Sequence, residues 1–148
     1  MSDVVAGTVV AVDVGAVRVG VAASDPHRVL ASPVATLARD ASTATDLDEL
    51  AAIVRDRAAV EVVVGLPVTL AGREGPAAEH ARAYAQALAP RVAPVPVRLV
   101  DERLTTVVAT QGLRASGVRG RKQRAVVDQA AAVALLQGVL DAARELRR

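Results

Sequence analysis

The sequence predicts an α/β fold on a mixed sheet, and three observations carry that expectation. The run from Val9 to Gly20, V-V-A-V-D-V-G-A-V-R-V-G, places two apolar stretches either side of a glycine, the pattern of an antiparallel hairpin. Two later apolar runs, 60–65 and 95–100, each follow a stretch with helical spacing, and strand, helix, strand in succession implies a right-handed crossover to a parallel neighbour. Finally, 148 residues at 52% apolar content suffice for one compact core and not for two, so 1–148 is expected to be a single domain.

The elements follow in order. Residues 1–6 read as a frayed end. Small and β-branched residues from Gly7 onward form a first strand buried on both faces, with Asp13 near its end and Gly15 allowing the turn into a second strand, Arg18 to Ala23. Ser24-Asp25-Pro26 is a turn, because proline fixes its own φ and aspartate binds nearby backbone. A third strand, 29–37, contains Pro33, which cannot donate to a ladder and so points to a sheet edge. Thr45-Asp46 opens a helix to about Arg57, with Leu47, Leu50, Ala51 and Val54 at helical spacing and acids in the first turn. The strand 60–65 ends in Gly65-Leu66-Pro67. A loop through Gly72 and Gly75 leads to a helix from Pro76 to about Leu88. The strand 95–100 ends in Asp101-Glu102-Arg103. A helix resumes near Thr105 or Thr106 and stops around Gly117, and 117–124 reads as a basic loop with two glycines and no apolar periodicity. A long helix from Val126 to about Arg147 closes the chain, with Val127, Ala130, Ala131, Ala134, Leu135 and Val139 as its apolar stripe.

Composition narrows the chemistry. No cysteine is present, which removes disulfides, thiolate metal sites and cysteine nucleophiles, and the two histidines, His27 and His80, are scattered. No run reaches the roughly 18 apolar residues of a membrane span, and the start lacks a basic-then-apolar signal, so no membrane partner and a cytoplasmic location are expected. Net charge is only +2, yet Arg114, Arg119, Arg121, Lys122 and Arg124 lie together without an acid, a grouping suited to phosphate. Tyr84 is the sole aromatic residue, so base stacking on aromatic platforms is set aside.

The acids converge. If the strands 7–14, 60–65 and 95–100 are parallel neighbours, their carboxyl ends share the sheet edge where α/β proteins place their sites. Asp13 ends the first, and Asp101 and Glu102 end the third. Asp128 lies in the expected first turn of the last helix, on the row of Ala131 and Leu135, and so faces inward. Carboxylates so close raise one another's pKa unless a cation sits between them. Two divalent metals held by these oxygens and by substrate phosphate would resolve the conflict and would suit phosphodiester hydrolysis. Each acid also has a plainer reading: Asp13 caps its own turn, Glu102 pairs with Arg103 or a neighbouring helix, Asp101 caps or only supports the other acids, and Asp128 meets the helix dipole.

Five blocks then carry a resemblance. V-D-V-G-x-x-R-V-G-V-A-x-S-D-P (Val12 to Pro26), V-V-G-L-P (Val63 to Pro67), G-x-E-G-P-A-A (Gly72 to Ala78), V-D-E-R-L-T-T (Val100 to Thr106) and V-D-Q-A-A-A (Val127 to Ala132) resemble the YqgF/RuvX family. That family comprises bacterial RNase H-like proteins associated with Holliday-junction resolution and with nuclease maturation of the small-subunit ribosomal RNA precursor. The resemblance implies an RNase H-like five-stranded mixed sheet of order 3-2-1-4-5 flanked by helices. It also implies catalytic, metal-binding acids at Asp13, Glu102 and Asp128, with two Mg²⁺ or Mn²⁺ ions. Phosphate would be held by Arg18, Arg103, Arg119, Arg121, Lys122 and Arg124. Ala16 departs from the pattern, since the family often has a hydroxyl residue there.

The function expected is therefore a metal-dependent nuclease, a hydrolase acting on branched DNA or an rRNA precursor, as monomer or homodimer. A non-catalytic nucleic-acid-binding accessory protein is the alternative, because binding needs only the basic surface. The spacing D-x-G-x-x-x-x-G from Asp13 to Gly20 also occurs in the first phosphate loop of actin-type and sugar-kinase ATPases. Those need two such domains to clamp a nucleotide, and this chain has length for one.

Overall fold

The computed structural model describes residues 7–69, 71–102 and 120–146, with side chains of the last stretch from residue 129 onward. Five strands, β1 (Val9–Val14), β2 (Arg18–Ser24), β3 (Ala31–Ala38), β4 (Glu61–Leu66) and β5 (Val97–Asp101), form one sheet in the order β3-β2-β1-β4-β5. The hairpin β1–β2 and the pair β2–β3 are antiparallel, while β1–β4 and β4–β5 are parallel, as the two helical crossovers require. The helices are α1 (Thr45–Asp56), α2 (Pro76–Val92) and α3 (Gly120–Leu146).

Alternation along the strands sorts the core into two layers. Val10, Val12, Val62 and Val64 pack with Leu47, Leu50 and Val54 of α1 and with Ala81, Tyr84, Ala85 and Leu88 of α2. Val9, Ala11 and Val63 point to the other side, against Ala132, Leu135, Leu136 and Leu140 of α3. Strands buried on both faces need a continuous apolar sequence, which β1 and β4 have. Among the described residues, no helix is long and apolar enough to cross a membrane.

Pro33 does lie on the edge strand, and the β2–β3 register slips there: Ala22 faces Pro33 while Val21 faces Ala35. A residue without an N–H cannot extend the ladder, and the slip absorbs it. Asp25 closes the preceding turn by accepting from the N–H groups of Val29 and Leu30, each at 2.8 Å. Helix α2 continues past Leu88 to Val92 and carries Pro90 in its last turn.

The end of the chain corrects three expectations. Residues 120–124 are helical rather than loop, since α3 begins at Gly120. Arg, Lys and Gln are good helix formers, so a segment without apolar periodicity can still be helical. Residues 117–119 of that segment, the expected helix from Thr105 or Thr106 and the chain ends lie outside the described residues. The apolar stripe is also turned from the expected one: Ala131, Ala132, Leu135, Leu136 and Leu140 are buried, while Ala130, Ala134 and Val139 are only partly so. Lastly, Asp128 lies about two turns inside α3 rather than in its first turn. A helix dipole acts within the first turn, so that reading of Asp128 lapses.

Candidate active site

Strand register brings the site together. Asp13 pairs with Gly20, and Gly20 with Thr36, making one row across β1, β2 and β3. Gln129 of α3 donates to the Thr36 hydroxyl at 3.0 Å, so α3 passes the same row one residue after Asp128. On the other side, Val12 is level with Val64, and Gly65 with Val100. The carboxyl ends of β1, β4 and β5 therefore meet at one edge, where parallel strands direct their last side chains.

The period of two fixes which face each residue uses. Val9 and Ala11 pack under α3, and Asp13 follows in that series; Val63 leads to Gly65, and Val100 to Glu102. Glu102 and Asp13, distant in sequence and both half-buried, are joined by a side-chain hydrogen bond. Gly65 makes this possible, because a β-carbon there would meet Glu102 Oε2 and would stand 3.1 Å from Leu135 Cδ2. Gly15 serves the turn in a similar way: its N–H donates to Arg18 O at 2.8 Å, and a β-carbon would stand 2.8 Å from that same oxygen.

Burial pushes the Glu102 carboxyl up to about 7, helped by the negative charge of Asp13, the hydrogen bond with Asp13 and then the charge of Asp101. A carboxyl that half-holds its proton at neutral pH is a feature of functional sites more than of structural ion pairs. Asp101 is exposed, at the last rung of β5.

The other sequence-derived positions divide. Arg18, half-buried at the start of β2, alternates with Val19 and so shares the α3 side with Ala22, at the end of the sheet that holds Asp13. Arg121, Lys122, Arg124 and Asp128 lie on the α3 backbone with side chains outside the described residues, and Arg103 and Arg119 lie outside them altogether. The donors present are carboxylate oxygens, the chemistry that hard cations such as Mg²⁺ and Mn²⁺ take. Among the described residues, no group of three or more His, Asp or Glu is arranged to hold a metal. Sequence reasoning passed over Thr36, Gln129 and Arg39. Each acts across elements, and only its polarity beside an apolar run hinted at a role.

A family model described as "RuvX: Holliday junction resolvase" matches residues 7–142. A relative from Frankia casuarinae, named "Putative pre-16S rRNA nuclease", is 60% identical over 135 residues, covering 91% of this chain and 67% of the relative. A relative of the same name from Mycolicibacterium paratuberculosis is 60% identical over 137 residues, covering 93% of this chain and 81% of its own. Thermus thermophilus RuvC superposes with a TM-score of 0.56 at 13% identity, over 93% of this chain and 96% of RuvC. A second structure, of that RuvC in complex with a Holliday junction substrate, gives 0.54 at 13% identity over 94% and 96%. At that identity the likeness establishes the RNase H-like fold alone. With a sheet of this order, paired acids at its parallel edge and a family match spanning nearly all of its length, the chain belongs to the RuvX family.

Proposed function

We propose that this protein is a nuclease that hydrolyses phosphodiester bonds in structured nucleic acid, either a Holliday junction or the ends of pre-16S rRNA, and that it does so with Mg²⁺ or Mn²⁺. The observation that carries the reading is the pairing of Asp13 and Glu102 on one face of the sheet, with the Glu102 carboxyl raised to about 7. Two carboxylates this close share a proton or repel when both ionise, and a cation between them would take the proton's place, which is why such pairs are found at functional sites. Family membership and the names of its relatives support the same reaction class.

In this reading Asp13, Glu102 and Asp128 hold the cations, which would supply charge neutralisation for the carboxylates and for the phosphate under attack. Gly65 keeps a space into which the Glu102 carboxylate fits. Arg18, on the same side and at the same end as Asp13, grips a substrate phosphate. Arg103, Arg119, Arg121, Lys122 and Arg124 extend that grip along the nucleic-acid backbone, giving affinity without sequence preference.

The test is a cleavage assay comparing a four-way DNA junction with pre-16S rRNA ends in Mg²⁺, in Mn²⁺ and in EDTA, beside Asp13→Asn. Metal-dependent cleavage of one substrate, lost in the variant, is expected. Failure to cut either substrate, or equal cutting by Asp13→Asn, would reject the reading.

A further inference from the structure

Arg39 follows β3 directly and reaches back to the connection between β1 and β2. Its backbone N–H donates to Val17 O at 2.9 Å, and its guanidinium Nη1 donates to Gly15 O at 3.0 Å. Its Cζ lies 5.4 Å from the centre of the Tyr84 ring on α2, within cation–π range. Tyr84 is itself fixed: its hydroxyl donates to the buried Asp46 carboxylate of α1 at 2.8 Å. The other Asp46 oxygen accepts from the N–H of Asp40, next to Arg39, at 3.1 Å. Burial and the bond to Asp46 push the Tyr84 phenol well above its ordinary range, so it remains a donor.

The turn needs such support. Ala16 and Val17 are exposed, Val17 at 65%, and Gly15 has no side chain, so packing contributes little to holding 15–17 in place. Yet this turn joins Asp13, one residue before the end of β1, to Arg18, the first residue of β2.

We propose that Arg39 is a positioning residue, a clamp that ties the Gly15–Val17 turn to the α1–α2 layer and so fixes Asp13 and Arg18 on the opposite face of the sheet. Its consequence for turnover rests on the nuclease reading above; the clamp itself does not. A charged donor on a carbonyl outlasts exposure better than a neutral one, and the planar guanidinium can bond Gly15 O while stacking on Tyr84, which an ammonium cannot reproduce.

Amide hydrogen exchange and cleavage kinetics on the full chain test this with Arg39→Ala and Arg39→Lys. In Arg39→Ala the Gly15 amide, bonded to Arg18 O, should exchange about tenfold faster, the loss expected for one hydrogen bond to a charged group, with Val10 and Val12 unchanged. Turnover should fall with salt dependence unaltered, because a looser turn holds Asp13 less closely while the number of phosphate contacts stays the same. Millimolar guanidinium should restore Arg39→Ala, and Arg39→Lys should recover less than guanidinium does. Unchanged Gly15 exchange would overturn the clamp. So would faster exchange throughout β1, which marks a merely structural role, or a raised KM with a flattened salt slope, which marks a phosphate contact. If the wild type cuts no substrate, the nuclease reading fails while the exchange experiment still decides the clamp.

Discussion

The Glu102 carboxylate occupies the space that a β-carbon on Gly65 would fill, so β4 contributes to the site by lacking a side chain. Gly65→Ala should separate activity from stability. The atoms displaced are the far ends of Glu102 and Leu135, which can swing aside, so stability should change by less than about 1 kcal/mol. Cleavage should nonetheless drop at least about tenfold, because a misplaced carboxylate no longer meets Asp13. Chemical denaturation beside the cleavage assay measures both. Full activity in Gly65→Ala would show that Glu102 need not lie where it does.

The raised Glu102 carboxyl makes metal-free stability depend on pH with a definite sign. Between its ordinary 4.5 and about 7, the folded chain keeps a proton that the unfolded chain has released. Stability from this group is thus full below about 4.5 and falls as pH rises through 7. Glu102→Gln removes the titration and should be more stable than wild type by about 1 kcal/mol in EDTA at pH 8, discounted for partial exposure, with no gain at pH 4. Thermal melts across that range decide it, and a gain that is independent of pH would point to another cause.

Asp13→Asn removes the charge that repels Glu102 and should also raise the metal-free melting temperature while abolishing cleavage. Mg²⁺ should then stabilise wild type more than the variant, because a ligand that binds only the folded state adds stability by mass action. Equal Mg²⁺ responses would argue against a metal at Asp13. Asp101→Asn should be the milder change, since Asp101 is exposed and ranks behind burial and Asp13 in acting on Glu102.

For the basic segment, neutralising Arg119, Arg121, Lys122 and Arg124 together should weaken binding to unrelated sequences alike. The slope of log affinity against log salt should flatten by about 0.9 per lost contact on duplex DNA, or about 0.7 on a single strand. Binding titrations at several salt concentrations give the count. An unchanged slope would assign the grip to Arg18 and Arg103 instead.

The sequence by itself determined the two-sided core, the hairpin and the parallel crossovers, because unbroken β-branched runs, a glycine turn and helical spacing are local properties that few folds satisfy together. It also placed Asp13 and Glu102 at strand ends. It misplaced the start of α3, since a first turn carrying only Arg, Lys and Gln after Gly120 has no apolar rhythm to reveal it. Register and alternation, which only the tertiary structure supplies, decided that Glu102 meets Asp13 across Gly65. The same holds for Asp46, which in the sequence is one first-turn acid among others and in the fold is a buried anchor for Tyr84. Arg39 looks like any of seventeen arginines until folding brings α1, α2 and the β1–β2 turn within reach of it. A strand's burial follows from its own residues, whereas a polar contact depends on which distant group the chain's topology delivers to it.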